Sequence, residues 1–328
     1  MIITRTPFRV SFAGGGTDLP AFYTREPGAV LSAAIAKYMY LTVKRRFGGT
    51  FRVSYSTTEL CDQVGQLKHP IVKASLEALR IEDGLEIVSI ADLPAESGLG
   101  SSSSFAVGLL NALHALRGGP VGPARLACEA CEIEIARLGE PIGKQDQYIA
   151  AFGGLQFIQF QPDGAVFVDP VICPASVKRR LQDRLLLVGV GQARAARTIL
   201  SRQSANTPAC LDRLRALRQL AWQMRDLLTA PDADLDEFGA LLDEGWQIKK
   251  SLDPSISNGH VDAIYDRARR SGALGGKLLG AGAGGFLLLY CHPDTRAGVD
   301  AALDDLPRIS VELEPQGSKI IYVGDDHW

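Results

Sequence analysis

The segment ESGLGSSSS, residues 96–104, has the composition of a phosphate-binding loop. Gly98 and Gly100 let the backbone come close to a ligand, and four serine hydroxyls follow them. A β-rich run precedes this serine loop and an apolar pattern with helical spacing follows it. The first turn of a helix has unpaired N–H groups and partial positive charge, which favours an anion such as a polyphosphate. The alternative is a helix N-cap with spare serines.

The common nucleotide-binding signatures are missing from the sequence. No segment fits G-x-x-x-x-G-K-[ST], so the chain is not a Walker NTPase. Gly280, Gly282 and Gly285 fit G-x-G-x-x-G, but the run after them, FLLLY, is typical of a strand, whereas a dinucleotide fold requires a helix there. The H-R-D and D-F-G signatures of protein kinases are also absent. The serine loop therefore indicates another kind of phosphate site.

Three segments, in order along the chain, resemble a known superfamily. PFRVSFAGGGTD near the start, LPAESGLGSSSS in the middle and KLLGAGAGGF near the end are similar to the three motifs of the GHMP small-molecule kinases, which include galactokinase, homoserine kinase and mevalonate kinase. The resemblance spans nearly the whole chain. It implies an α+β fold with two domains, a ribosomal protein S5 domain 2-like N-terminal lobe and a ferredoxin-like C-terminal lobe, with both substrates bound between them.

Phosphoryl transfer needs a cradle for the phosphates, Mg²⁺ with a carboxylate ligand, and a group that orients or deprotonates the acceptor. The resemblance implies that Ser102 and Glu134 contact Mg²⁺. Glu132 lies nearly on the opposite side of a helix with about 3.6 residues per turn, so both glutamates cannot face one ion; a solvated helix face is the alternative for Glu134. The residues implied for ATP binding are Gly98, Leu99, Gly100, Ser101, Ser102, Ser103, Gly280, Gly282 and Gly284.

The resemblance also implies two catalytic residues, Asp146 and Arg9. Asp146, in GEPIGKQDQY, matches an aspartate that faces the acceptor hydroxyl as a base or an orienting group, although such an aspartate can instead cap a helix. Arg9 matches an arginine beside the transferred phosphoryl group, where it would neutralise developing charge. Asp18, nine residues later, matches a residue that accepts hydrogen bonds from sugar hydroxyls. The alternative for Arg9 and Asp18 is a salt bridge at a strand end.

The first motif gives information on the substrate. Galactokinases carry an acid and a histidine where this chain has Gly15 and Gly16, which argues against galactose. AGGGTDLPAFY, GEPIGKQDQY and WQIKKSLDPSISN resemble the bacterial D-glycero-D-manno-heptose 7-phosphate kinases, which phosphorylate the anomeric hydroxyl to give the 1,7-bisphosphate. A substrate that already bears a phosphate needs a second anion site. The candidate substrate-binding residues are Gly15, Gly16, Thr17, Asp18, Lys144, Arg194, Lys249 and Lys250.

Two alternatives stay open at this point. L-Fucose kinases share a first motif with AGG followed by TD, and a kinase of a free sugar would not need the second anion site. Some relatives in the superfamily are non-catalytic sensors that bind ATP and sugar. Loss of the catalytic aspartate or of the Mg²⁺ carboxylate would favour a sensor, and this chain keeps both Asp146 and Glu134.

Length, composition and charge indicate the number of domains, the classes of partner and the cellular compartment. A chain of 328 residues whose composition changes near residue 180 predicts domains at 1–180 and 181–328. The formal charge of −2 gives no overall attraction to nucleic acid or to an acidic membrane. The sequence has no signal-peptide pattern, and no apolar run reaches the ~20 residues of a membrane span. The interpretation is a cytoplasmic monomer or homodimer that acts on a small sugar phosphate, without nucleic acid or membrane partners.

Hydrophobic patterns predict the elements around these motifs. The β-rich runs at 38–56 and 154–170 are interpreted as hairpins. Residues 192–208 are interpreted as a polar loop, and long helices are expected at roughly 210–229 and 234–252. A further helix near 260–271 is expected to lead into the third motif, where a tight structural turn is the alternative to a binding loop.

Overall fold

The computed structural model describes residues 1–191 and 196–324, in which the chain forms two β-sheets with helices packed on them. Arg194 lies outside these residues. None of the described helices combines the length and the apolar character needed to cross a membrane. The strands are β1 (Ile2–Ala13), β2 (Gly28–Arg45), β3 (Phe51–Ser54), β4 (Thr58–Cys61), β5 (Leu85–Ala91), β6 (Leu155–Phe160), β7 (Val166–Pro170), β8 (Leu185–Gly189), β9 (Ala273–Leu278), β10 (Phe286–Cys291), β11 (Arg308–Ser310) and β12 (Lys319–Val323).

The helices connect and cover these strands, and the predicted helices at 210–229, 234–252 and 260–271 are all present, with small shifts at their ends. The α-helices are α1 (Pro20–Tyr23), α2 (Pro70–Ala78), α3 (Ser101–Leu116), α4 (Pro123–Cys131), α5 (Gln145–Phe152), α6 (Ala175–Arg184), α7 (Ala196–Asn206), α8 (Leu211–Thr229), α9 (Leu235–Lys250), α10 (Gly259–Arg270) and α11 (Pro293–Ala302). A π-helix at Glu132–Arg137 continues α4, and short 3₁₀ helices occur at Val64–Gln66 and Thr207–Cys210.

The larger sheet positions the serine loop. Within the described residues it has eight strands in the order β12-β1-β2-β5-β3-β4, with β6 paired to the start of β2 and β7 paired to β6. Helix α3 packs across β1 and β2, and it is buried on all sides from Ser103 to His114, as expected for a helix that is apolar all round. This packing holds the N-terminus of α3, and the loop before it, beside β1.

The smaller sheet has the order β11-β8-β10-β9, and all its neighbouring strands are antiparallel. Helices separate β8 from β9, β9 and β10 follow each other directly, and α11 separates β10 from β11. This β-α-β-β-α-β arrangement is the ferredoxin-like topology that the resemblance implied. Strand β10 is buried along its whole length, as its uninterrupted apolar run FLLLYC requires.

One of the two predicted hairpins is correct. Residues 154–170 contain β6 and β7, which pair antiparallel around a turn at Gly164, whose φ is 88°. Residues 38–56 are not a hairpin, because β5 lies between β2 and β3: β5 pairs antiparallel with β2 and parallel with β3. The apolar pattern predicts that a segment is a strand, but it does not specify which strand becomes its neighbour.

The prediction of a polar loop at 192–208 is wrong for the residues that the structure describes, since α7 covers Ala196–Asn206. The buried residues of α7 are Ile199 and Gln203, which lie about one helical turn apart. A helix with so narrow an inward face has almost no apolar periodicity, so its sequence is typical of a loop. Helix α7 nevertheless contributes to the site described below.

The C-terminal end of the chain returns to the larger sheet. Strand β12 pairs antiparallel with β1, and the hydroxyls of Ser318 and Thr6 share a hydrogen bond of 2.8 Å. The two sheets thus follow each other along the chain except for this last strand. The limits 1–180 and 181–328 stay a prediction. Residues 318–324 pack with the first sheet rather than with the second.

Candidate active site

The serine loop packs on β1 and continues into the first turn of α3. Gly98 and Gly100 have φ values of 76° and 77°, a conformation that glycine adopts without strain. The backbone N–H of Arg9 donates to the carbonyl of Leu99 over 3.1 Å, which fastens the loop to β1. Ser102 is exposed in the first turn of the 16-residue helix α3. The loop therefore presents a hydroxyl and unpaired N–H groups to an anion.

The third motif forms a loop between β9 and β10 that packs directly on the serine loop. A Cβ atom at Gly280 would lie 2.6 Å from the Cα of Gly98, and one at Gly285 would lie 2.5 Å from the carbonyl oxygen of Ser97. Only glycine permits these approaches. The motif joins two strands rather than a helix and a strand, because the residues from Ala273 onward form β9. The same loop contains the other predicted ATP-binding residues of this motif, Gly282 and Gly284.

Replacing Gly280 with Ala is expected to separate these two loops. The new methyl group would meet backbone atoms of Gly98, which cannot rotate aside, at a residue whose φ is 70°. We expect the free energy of unfolding to fall by about 1–3 kcal/mol and the KM for ATP to rise roughly tenfold or more, measured by chemical denaturation and steady-state kinetics. Gly49→Ala is the control, because Gly49 has a φ of 74° with nothing within 4 Å of the added Cβ. Equal effects of both substitutions would contradict the importance of this contact.

Glu134 is fully buried beneath the serine loop. Its carboxylate accepts hydrogen bonds from the Ser102 hydroxyl (2.6 Å), the Ser103 hydroxyl (2.8 Å) and the Gln147 amide (2.7 Å). Burial raises the pKa of this carboxyl group, although the three donors oppose the shift. The residue lies in the π-helix, a widened turn that is frequent at functional sites. Glu132 is exposed to solvent, as the helical spacing predicted.

Arg9 and Asp146, the two predicted catalytic residues, form a bidentate ion pair. The Nε and Nη2 atoms of Arg9 each donate to one carboxylate oxygen of Asp146 over 2.7 Å. The third nitrogen, Nη1, donates to the carbonyl of Gly98 over 2.6 Å. Asp146 lies in the first turn of α5, and Arg9 lies in β1. The pair therefore links a carboxylate directly to the serine loop.

This ion pair lies in the wall of a cavity between the two sheets, which we call the inter-sheet cavity. Its wall combines the loop after β1, the N-terminus of α5, helix α7, the end of α9 and the third-motif loop. The polar and glycine residues that line it are Arg9, Ser11, Gly15, Gly16, Asp18, Gly143, Gln145, Asp146, Gln203, Lys249, Lys277 and Gly280. The structure thus brings together most of the predicted catalytic and substrate-binding residues.

Asp18 is a buried carboxylate in this cavity. It accepts hydrogen bonds from the backbone N–H of Gly16 (2.9 Å) and of Gln145 (3.3 Å). Burial raises the pKa of Asp18, and the nearby charge of Asp146 adds to the increase. The Thr17 hydroxyl points away and donates to the carbonyl of Gly14 over 2.8 Å, so its side chain holds the turn together. Asp18 is therefore the group of this turn that can receive hydrogen bonds from a ligand.

Two lysines complete the inter-sheet cavity, Lys249, which is half-buried, and Lys277, which is buried. Lys249, which the sequence predicted, donates to the carbonyls of Leu278 (2.9 Å) and Gly280 (2.7 Å). Lys277, which was not predicted from the sequence, donates to the carbonyl of Phe12 over 3.0 Å. Burial lowers the pKa of Lys249 to about 7 and lowers that of Lys277 strongly as well. A lysine inside the apolar strand β9 was the available signal for Lys277, since such a residue needs a reason to be buried.

The remaining predicted lysines lie elsewhere. Lys144 donates to the carbonyl of Gly164 over 2.9 Å and packs on the ring of Tyr23. The ammonium group of Lys250 lies 3.5 Å from the carboxylate of Asp262. Neither lysine lines the inter-sheet cavity. The structure therefore does not bring Lys144 or Lys250 to the other predicted substrate-binding residues.

Lys249→Met is expected to make the protein more stable near neutral pH. The pKa of Lys249 is about 7 in the folded chain and about 10.4 when unfolded, so the unfolded chain binds one more proton between these values. Stability then rises with pH across this window. We expect the variant's advantage in free energy of unfolding to be largest at or below pH 7 and to shrink by pH 10, measured by urea denaturation. A constant difference between the two proteins would contradict the burial of a titrating ammonium group.

A second cavity, which we call the aromatic pocket, opens on the other side of the α3 N-terminus. It has a volume of about 680 Å³ and is lined by Tyr55, His69, Phe105, Ser101 and Ser102, with apolar residues around them. The rings of His69 and Phe105 stack with centroids 4.7 Å apart, and burial lowers the pKa of the imidazole. The pocket thus offers neutral aromatic surface next to the serine hydroxyls. Residue spacing gave no signal for it.

Comparison with known proteins adds the family. The family models of the GHMP kinases N terminal domain and of the GHMP kinases C terminal domain match residues 67–154 and 224–308. A D-glycero-alpha-D-manno-heptose 7-phosphate kinase of Campylobacter jejuni is 31% identical over 92% of this chain and 93% of its own length. A bifunctional fucokinase/GDP-fucose pyrophosphorylase of Arabidopsis thaliana is 28% identical over 89% of this chain and 30% of its own length.

A solved structure agrees with these similarities. A D-glycero-D-manno-heptose 1-phosphate kinase from Bacteriodes thetaiotaomicron superposes with a TM-score of 0.83 at 25% identity, over 99% of this chain and 100% of that chain. The two matched ranges include the serine loop and strands β9 and β10. The chain belongs to the GHMP kinases, and it is an ATP-dependent kinase that phosphorylates a sugar hydroxyl.

Proposed function

We propose that the protein transfers the γ-phosphoryl group of ATP, with Mg²⁺, to the anomeric hydroxyl of D-glycero-D-manno-heptose 7-phosphate, giving ADP and the 1,7-bisphosphate. The observation that carries the reaction is the bidentate pair of Arg9 and Asp146, which faces the inter-sheet cavity and contacts Gly98 of the serine loop. A hydroxyl in that cavity would lie between a carboxylate and the site of the ATP phosphates.

The aromatic pocket and the serine loop together suit ATP. The neutral imidazole of His69 and the ring of Phe105 provide flat surface for a purine, in a pocket of about 680 Å³ that is of ordinary size for a nucleotide. Ser101 and Ser102 line the same pocket at the N-terminus of α3, where the helix dipole and the unpaired N–H groups would hold the phosphates. This arrangement aims the terminal phosphate at Arg9.

Glu134 and Ser102 fit a Mg²⁺ ion. Both present oxygen atoms, the ligands this ion prefers, and a protein usually supplies only one or two carboxylates while substrate phosphates complete the site. The Ser102 hydroxyl lies 2.6 Å from the Glu134 carboxylate, so both reach one position beside the serine loop. When bound, the ion neutralises charge on the phosphates. Glu134 is held for this task by Ser103 and Gln147.

The acceptor would bind in the inter-sheet cavity. Asp146 would accept the hydrogen bond of the reacting hydroxyl and orient it or remove its proton, while Arg9 would stabilise charge on the moving phosphoryl group. Asp18 would accept hydrogen bonds from neighbouring sugar hydroxyls, which would offset its burial. Gly15 lines the cavity without narrowing it, since the atoms nearest to an added Cβ there lie 3.8 Å away.

Two observations favour a heptose phosphate over a free sugar. The Campylobacter jejuni relative and the solved structure named above are both heptose phosphate kinases by name. The half-buried amine of Lys249 faces the cavity without a carboxylate partner in the described residues, which suits an acceptor that carries an anion. L-Fucose kinase is the second candidate, supported by the Arabidopsis thaliana relative, but fucose would leave this ammonium group unpaired.

Release of ADP with Mg²⁺ and ATP tests the proposal across heptose 7-phosphate, sedoheptulose 7-phosphate, mannose, fucose and galactose. We expect turnover on heptose 7-phosphate alone, with a new anomeric phosphate signal in the ³¹P NMR spectrum. Asp146→Asn, assayed in parallel, reports any contaminating ATPase. Faster turnover on fucose or galactose would keep the sugar kinase and overturn the heptose phosphate assignment.

A further inference from the structure

Lys277 is a buried amine that the reaction described above does not use. Its side chain extends from β9 to the other sheet, where the ammonium group donates to the carbonyl of Phe12 over 3.0 Å. The residue is 6% exposed and lines the inter-sheet cavity. An ammonium group has three N–H donors, and within the described residues this carbonyl is the hydrogen-bond partner observed for it. Two donors are thus left for a ligand.

Charged groups in the cavity are not balanced. Arg9 and Asp146 neutralise each other, and Asp18 accepts two backbone hydrogen bonds. Lys249 and Lys277 contact only backbone carbonyls, and among the described residues no carboxylate lies within 4 Å of either. Charging two neighbouring amines in this cavity without an anion is unfavourable. A bound anion would remove this cost.

Ser11 provides an independent sign of a missing ligand. Its hydroxyl is buried, lines the same cavity and has no hydrogen-bond partner. The residue is 6% exposed and lies in β1 two positions after Arg9, so both side chains point to the same face of the strand. A buried hydroxyl without a partner is uncommon. A ligand oxygen in the cavity would satisfy it.

Building on the proposed function, we propose that Lys277, together with Lys249 and Ser11, binds the phosphate group that the acceptor sugar already carries, and so selects phosphorylated over free sugars. Both lysines line the inter-sheet cavity and neither lines the aromatic pocket. The nucleotide phosphates have their own donors at the serine loop. The anion that reaches Lys277 is therefore the acceptor's.

Calorimetric titration of the full-length protein without nucleotide tests this site directly. Heptose 7-phosphate and the same heptose without its phosphate are titrated into wild type, Lys277→Met, Lys277→Arg and Lys178→Met. Loss of one charge-assisted hydrogen bond is expected to weaken binding of the sugar phosphate roughly tenfold to a hundredfold in Lys277→Met. Binding of the free heptose should change less than about threefold. Lys277→Arg keeps the charge and should recover part of the affinity.

The controls separate binding from folding. Lys178→Met makes the same chemical change at a residue that lines neither cavity, so its affinities should equal those of wild type. Thermal denaturation of each variant verifies that the fold is kept. Equal losses for both sugars in Lys277→Met would make the lysine a structural link between the sheets, and unchanged affinity for the sugar phosphate would remove it from the site; either result overturns the proposal.

Proton uptake gives a readout that a purely structural role would not change. Lys249, Arg9 and Asp18 are the charged groups that face Lys277, and the neighbouring cations and burial lower its pKa. An arriving phosphate favours the charged amine, so at pH 8 binding should take up protons, measured from the heat of binding in buffers of different ionisation enthalpy. The uptake should fall in Lys277→Met. An uptake identical to wild type would contradict a phosphate at Lys277.

The same titrations distinguish this inference from the proposed function. If wild type binds neither heptose but binds mannose 6-phosphate or sedoheptulose 7-phosphate in a Lys277-dependent way, the heptose assignment fails and the phosphate site stands. If both heptoses bind with equal affinity, the sugar assignment stands and the phosphate site fails. Absence of binding by every sugar phosphate in the set would overturn both.

Discussion

Replacing Asp146 with Asn is expected to lower kcat by roughly 10²- to 10⁴-fold while leaving ATP affinity within about threefold of wild type. The amide keeps the size of the side chain but cannot take a proton. Its NH₂ group would also face a guanidinium nitrogen of Arg9, so one of the two hydrogen bonds of 2.7 Å would be lost. Steady-state kinetics with the sugar phosphate and equilibrium binding of ATP measure the two quantities.

The matched control for this prediction is Asp163→Asn. Asp163 lies in the turn between β6 and β7, where its carboxylate accepts the backbone N–H of Ala165, and it lines neither cavity. Its kcat should equal that of wild type. If Asp146→Asn also retained turnover within about threefold, Asp146 would be a structural partner of Arg9, and the reacting hydroxyl would have to be oriented elsewhere.

The serine loop could be predicted from the sequence because local rules govern it. Glycines before a helical apolar pattern place a flexible loop at a helix N-terminus, and Gly98 and Gly100 have the positive φ values that this requires. The meeting of Arg9 with Asp146 is different, since 137 residues separate them. Spacing could not predict that contact, and the resemblance implied a separate role for each residue without implying that they pair.

The acceptor side could be predicted only in part, because it depends on the relative positions of the sheets. A strand pattern did not reveal that β5 lies between β2 and β3. The sequence also gives the backbone position of a lysine but not the direction of its long, flexible side chain: Lys144 and Lys250 turn to Gly164 and Asp262. Lys277 escaped notice because its burial results from packing between the two sheets.

The segments of the three motifs contact one another. Gly280 packs on Gly98, Lys249 donates to the carbonyl of Gly280, and Arg9 donates to the carbonyl of Gly98. Residues from both sheets thus contact the backbone of the serine loop and of the third-motif loop. A substitution in the inter-sheet cavity can therefore displace the serine loop through Lys249 or Arg9. For this reason KM should be measured for both substrates in each of these variants.

Glu134→Gln is expected to abolish most activity, with a loss in kcat/KM of roughly 10²-fold or more, without destabilising the fold. Burial raises the pKa of Glu134, so holding it charged in the fold is unfavourable and this penalty grows as pH rises above the unfolded value near 4.3. The neutral amide avoids that penalty, and the hydroxyls of Ser102 and Ser103 can turn to accept its protons. We therefore expect equal or higher stability at pH 8.

The effect of Mg²⁺ on the Tm shows whether Glu134 is a metal ligand or a buried structural residue. Adding MgCl₂ with ADP should raise the Tm of wild type by mass action, and the same addition should shift the Tm of Glu134→Gln much less. Glu132→Gln is the control, because Glu132 lies two residues away, is exposed and pairs with Arg137 at 2.9 Å. It should match wild type in activity and in the Tm shift. A Glu134→Gln protein that responds fully to Mg²⁺ but is inactive would show that the carboxylate positions Ser102 rather than the ion.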